Sequence, residues 1–185
     1  MKPIRFTQKL FALLIALTAS VASFAYNFKE GDFYYTVTSR APYTVEVACQ
    51  FEENSDYDNY YQLPENITIP DSIHRGTYTY AVTAIGEFAF HDCKTLKSVI
   101  IPNTIKEIKN AAFKNCSSLS YFHVPTSVCE FGNQAFSGIT KLTVHIPKAL
   151  EEHVHNYRAY RVTIGKERNY IFDRSAKLHY YEGSV

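Results

Sequence analysis

Residues 85–107 (IGEFAFHDCKTLKSVIIPNTIKE) and 108–130 (IKNAAFKNCSSLSYFHVPTSVCE) are two copies of one 23-residue unit, and this self-similarity restricts the fold more than any other feature of the chain. Seven positions are identical: Ile85/Ile108, Ala89/Ala112, Phe90/Phe113, Cys93/Cys116, Leu96/Leu119, Pro102/Pro125 and Glu107/Glu130. Ordinary residue usage gives about one or two identities over such a window. The pairs Val99/Phe122, Ile101/Val124 and Ile105/Val128 fill the remaining apolar slots. A third copy starts at Phe131, keeps Ala135, Phe136 and Leu142, places Ile139 in the cysteine slot and reaches Pro147 one residue early. Upstream, Ile67-Thr68-Ile69-Pro70 repeats the strand-proline half, followed by an insertion at residues 75–80.

The spacing within a unit has a physical reading. Leu96, Val99 and Ile101 follow the L-x-x-L-x-L pattern of a strand whose alternate side chains enter a core. Pro102 ends that strand, because proline cannot donate to a ladder. On the return arm, the i, i+3 spacing of Phe90 and Cys93 predicts a helical turn that drops both toward the sheet. One unit cannot bury its apolar face alone, so stability is expected from neighbouring units and from caps at the ends.

The unit IGxxAFxxCxxLxxVxIPxxIxx resembles the BspA-like leucine-rich repeats, leucine-rich repeat family 5, over roughly residues 62–165. Lys109 in the usual glycine slot, the shortened third strand and its missing cysteine depart from the pattern. The resemblance implies an α/β repeat solenoid: a short leucine-rich-repeat array with parallel strands, capped by an N-terminal β-hairpin and a C-terminal helix plus strands. It also implies adhesion or contact with a host extracellular protein.

The flanks fit that organisation. Residues 1–25 carry Lys2, Arg5 and Lys9, an apolar run and a small-residue end at Ala25, the layout of a cleaved secretory signal. The apolar stretch is shorter than the roughly 20 residues that span a bilayer, so no membrane insertion is expected after signal removal. Residues 26–65 are expected to form the N-terminal β cap, with strands at 32–38 and 43–51 followed by an acidic loop. The array occupies 66–147. Residues 148–185 form the C-terminal cap and tail, with a short helix over 149–160, a strand at 161–164, and pieces 169–172 and 177–181 that could pair as a hairpin.

Nothing in the chain signals catalysis. Serine-hydrolase, zinc-protease and phosphate-loop motifs are absent, and His153 and His155, spaced i, i+2, face different ways on a helix. No cofactor or metal is expected, since His123 and His145 lack an evident third ligand. The charge balance, with 19 Lys+Arg against 18 Asp+Glu, shows no basic excess that would point to nucleic acid. Cys93 and Cys116 stack in adjacent units, either as buried free thiols or, with about 5 Å between strands, as a disulfide.

Strand residues between the inward ones point to solvent. This puts Ser98 and Ile100, Tyr121 and His123, and Thr143 and His145 in two columns, the candidate protein-binding face. The exposed Ile100–Tyr121 pair suits an anchor for a partner. Two other readings stay open: a structural surface protein with weak self-association, and glycan capture by Tyr57, Tyr60 and Tyr61.

Overall fold

β-branched and aromatic residues alternating along short segments make almost the whole described chain strand and turn. The computed structural model describes residues 26–49, 63–152, 154, 171–173 and 175–182. The signal segment, the acidic loop with its tyrosines, the 161–164 strand and His153 and His155 lie outside these residues.

Twelve strands follow in order: β1 (Phe28–Glu30), β2 (Phe33–Arg40), β3 (Tyr43–Ala48), β4 (Asn66–Thr68), β5 (Ser72–Arg75), β6 (Tyr78–Ile85), β7 (Ser98–Ile100), β8 (Glu107–Ile108), β9 (Tyr121–His123), β10 (Glu130–Phe131), β11 (Thr143–Pro147) and β12 (Lys177–Tyr181). β2 and β3 pair as the expected antiparallel hairpin, extended by β1. β3 then pairs in parallel with β6, which continues in parallel to β8 and β10, while β5 folds back antiparallel on β6. Each unit therefore carries a second strand at its Ile85, Ile108 or Phe131 slot, the end of eight-residue β6 in the first and two residues long in β8 and β10. On the other side of the repeats lie the parallel pair β4–β7 and the parallel triple β9–β11–β12. β7 runs alongside β9 without joining its ladder, so the outer face is built from two pieces rather than one continuous sheet.

Between these layers, the repeat phenylalanines stack in register. Phe90 and Phe113 lie 5.1 Å apart at 15°, and Phe113 and Phe136 lie 5.2 Å apart at 10°. Phe172 adds a fourth ring, 5.0 Å from Phe136 at 16°. Phe33 of β2 closes the other end, standing perpendicular to Phe90 at 6.2 Å. Backbone bonds run in the same register: Phe90 N donates to Ala112 O, Phe113 N to Ala135 O, and Phe136 N to Ile171 O. Parallel stacks of this kind place each ring where its apolar area is lost to water on both faces.

The tail corrects the expected hairpin. Among the described residues β12 does not pair with Ile171 or Phe172; it adds in parallel to β11, pairing Thr143 with Lys177 and His145 with His179. Ile171, Phe172, Ala176 and Leu178 thereby repeat the roles of Ala135, Phe136, Leu142 and Val144, making the tail a degenerate further repeat. A two-residue deletion between Phe172 and β12, relative to the preceding unit, hides the match in the sequence.

The expected helices also need correcting. The return arms are turns, because each unit has two residues with left-handed backbone: Phe88, Ala111 and Gln134 at the first slot, then Asp92, Asn115 and Gly138 at the second. A positive φ every fourth residue is incompatible with a right-handed helical turn. Neither is a C-terminal helix over 149–160 supported. A 3-10 turn at Lys148–Leu150, without a side-chain cap, leads to helical residues only at Glu151, Glu152 and Val154 among those described. The third unit's strand is not shortened, since β11, at five residues, is the longest outer strand of the three copies.

Lys109, the departure from the glycine slot, has a partner. Its Nζ reaches Glu46 of β3 at 2.6 Å, tying the second unit to the N-terminal hairpin, and neighbouring carboxylates outweigh partial burial to hold its pKa up.

Candidate functional site

The alternation of β9, β11 and β12 turns Phe122, Val144 and Leu178 inward and leaves Tyr121, His123, Thr143, His145, Lys177 and His179 on the outer face. Strand pairing aligns them in two rows. One row runs Tyr121, Thr143, Lys177, and the other runs His123, His145, His179. The candidate face read from the repeats stops at β11; Lys177, His179 and Tyr181 join it only because β12 is parallel to β11. The alternation Leu178–Tyr180 is the signal that could have found them.

Ser98 and Ile100 sit on the adjoining β4–β7 piece. Ser98 Oγ donates to Asn66 Oδ1 at 2.6 Å, and Lys97 and Glu65 pair at its edge at 2.7 Å. Ile100 stays 63% exposed and Tyr121 47%, large apolar side chains open to solvent on this face. A separate aromatic cluster that the repeat pattern does not indicate lies on the N-terminal side, where Tyr43 meets Tyr78 at 4.8 Å and Tyr80 at 5.3 Å.

The outer-face rings pack against each other. His145 stacks on His179 at 5.2 Å and 25°, lies 6.5 Å from His123, and touches Tyr121 at 5.1 Å. Tyr181 covers His123 at 4.9 Å and 24°, and its hydroxyl donates to the Val124 carbonyl at 2.7 Å, strapping β12 across β11 to β9. Burial raises the Tyr181 pKa, so the hydroxyl stays a donor at physiological pH. Among the described residues no group of three ligand-type side chains could hold a metal ion. The histidines stack side by side instead of converging.

Cys93 and Cys116 are buried thiols not joined by a disulfide, with Cys116 Sγ donating to the Phe90 carbonyl at 3.0 Å. Burial, then Asp92, pushes Cys93 up to about 12, and burial raises Cys116 well above its usual value. A thiol so protonated is a poor nucleophile, and with Ile139 taking the same buried slot the column is a packing feature.

His91 gives the fold a pH response. It is buried beside Phe88, 2.8 Å from Asp92, and burial lowers its pKa despite the opposing pull of Asp92, with Lys114 lowering it further. A histidine whose folded pKa lies below its unfolded value, about 6.5, leaves stability intact above that pH and removes it as pH falls. The melting temperature is expected to drop between pH 7 and pH 5, and His91→Gln to flatten that part of the profile. A wild-type melting temperature constant over this range would contradict the assignment.

Comparison with known proteins agrees with the geometry. Residues 56–159 match the BspA type leucine rich repeat region in six copies. A leucine rich cell surface protein from Faecalibacterium prausnitzii A2-165 superposes with a TM-score of 0.52 and 30% identity, over 63% of this chain and 29% of that protein. This chain thus spans less than a third of that relative. A leucine-rich repeat protein from Bacteroides capillosus ATCC 29799 aligns with a TM-score of 0.43 and 18% identity, over 63% of this chain and 96% of the other. No curated protein matches the chain.

Proposed function

Because this chain belongs to the BspA type leucine rich repeat family, whose repeats serve protein interaction, we propose that it is a secreted or cell-surface adhesion module that binds a protein partner, a host extracellular protein in particular, without catalysis. Residues 1–25 act as a cleaved export signal, and the 66–147 array is a continuous solenoid between caps at 26–65 and 148–185. Among the described residues no helix is long and apolar enough to cross a membrane. The cell-surface character of the Faecalibacterium prausnitzii relative supports the location.

One observation carries the binding assignment: Ile100 and Tyr121 project from a strand face whose inward side chains are locked in the core. Rigid strands hold such side chains at little further cost in conformational entropy when a partner arrives. An apolar and an aromatic residue ringed by polar ones is the composition of an interaction anchor.

The test is a pull-down from host extracellular matrix with wild type, an Ile100→Asp variant and a Tyr121→Ala/His123→Ala variant. Wild type is expected to retain a specific protein that both variants lose by at least about tenfold, the loss of one anchor. Equal recovery by all three would move the binding surface elsewhere.

A further inference from the structure

The outer face is one-sided in its chemistry. Every outward position of β9, β11 and β12 except the covered Pro147 is aromatic, hydroxyl-bearing or basic, and none is a carboxylate. The row His123, His145, His179 crosses three strands, with Lys177 beside His179 and Tyr121 against His145. Among the described residues the adjoining elements bring no unpaired carboxylate to the row. β7 offers Ser98 and Ile100, while Glu182, at the end of β12, is engaged by Lys148 at 2.9 Å. Glu65 is likewise held by Lys97 at the far edge of the β4–β7 piece.

The rings stack on one another, so their faces are partly spent and their N–H edges are what a ligand meets. Imidazole is the side chain that ordinarily gains its charge between pH 5 and 8. Three imidazoles stand side by side along this row, at centroid separations of 5.2 and 6.5 Å, beside the cationic Lys177, an arrangement that an apposed anion complements. The 23-residue register places Ile100 at the position equivalent to His123, so the row reads as one apolar site followed by three imidazoles. An extended peptide carries alternate side chains on one face at about 6.5–7 Å, which matches the 6.5 Å between His123 and His145 and exceeds the 5.2 Å between His145 and His179.

We propose that the Ile100–His123–His145–His179 row docks an extended acidic peptide segment, an apolar residue followed by carboxylates at alternate positions, and that it holds this segment more tightly as the pH falls. This rests on the outer face being the protein-binding surface and adds the chemistry of the partner. Tyr181 ties the strip to the end of β9 through its bond to Val124.

The experiment uses the full chain and two synthetic peptides, one with leucine followed by three glutamates at alternate positions and one with glutamines in their place. Fluorescence anisotropy at pH 5.5 and 7.5 measures affinity, and circular dichroism at both values verifies the fold. The glutamate peptide is expected to bind at least about tenfold more tightly at pH 5.5, a gain of the size that charge pairing supplies. The glutamine peptide should show no gain, and His145→Ala/His179→Ala should abolish it. A pH-independent affinity for the glutamate peptide, or a gain that survives the double substitution, overturns the proposal. So does tighter binding of a heparin oligosaccharide than of the peptide, which would assign the strip to acidic glycans. Ile100→Asp separates this from the broader reading: if it abolishes matrix-protein capture while the histidine variant binds the peptide like wild type, the face stands and the histidine strip does not.

Discussion

Phe113→Ala is expected to lower the unfolding free energy by about 3–5 kcal/mol, the range for deleting a fully buried phenylalanine, and the melting temperature by roughly 10 °C. The ring is completely buried and lies between two others, stacked on Phe90 at 5.1 Å and Phe136 at 5.2 Å, with Phe122 edge-on at 5.2 Å. Its removal opens a cavity whose walls belong to three successive units and cannot collapse without dragging the backbone bonds that fix their register, Phe90 N to Ala112 O and Phe113 N to Ala135 O. The loss should also be felt as reduced cooperativity, because neighbour interfaces carry the stability of a repeat stack. Thermal melts with denaturant titration check this. A loss below about 1 kcal/mol would mean that the rings contribute little beyond filling space.

Gly132→Ala is expected to cost about 3 kcal/mol, the upper part of the overpacking range, although it adds only a methyl group. A Cβ at this position would fall on the backbone of Lys109 and Asn110 in the preceding unit, and backbone cannot rotate aside. Gly132 N donates to Ile108 O at 2.7 Å, and the neighbouring Asn133 N donates to Asn110 Oδ1 at 2.8 Å, so moving apart breaks the junction of β8 and β10. The slot one unit earlier already holds Lys109. There Lys109→Ala should cost no more than the ion pair to Glu46, under about 1 kcal/mol for a partly solvated pair. Denaturant unfolding of both variants decides it, and equal costs would show that the close approach at Gly132 is not what holds the units together.

The period revealed the core because its inward residues are large and identical: Phe90, Phe113 and Phe136 could pile only if 23 residues made one circuit. It also marked the outward residues of β7, β9 and β11 correctly, since alternation along a strand is fixed by the pleat. Helical arms were suggested by Phe90 and Cys93, yet left-handed residues such as Ala111 and Gln134 carry no turn signature in their side chains. Their conformation is imposed by bonds between units, Ala111 N to Asn133 O among them. The tail escaped notice for a related reason. Phe172 and Leu178 keep their partners in space while losing the spacing that identifies them in the sequence, and with β12 went His179, the third member of the histidine row.

The two ends of the ring column are unlike. Phe33 meets it edge-on from an antiparallel hairpin, whereas Phe172 meets it face-on from a parallel strand and is itself almost fully buried. Two molecules set head to tail could not join their columns into one filament unless one gave up its hairpin or the other its final strand. Among the described residues the ring column is thereby polar, its two ends offering different geometry to whatever meets them.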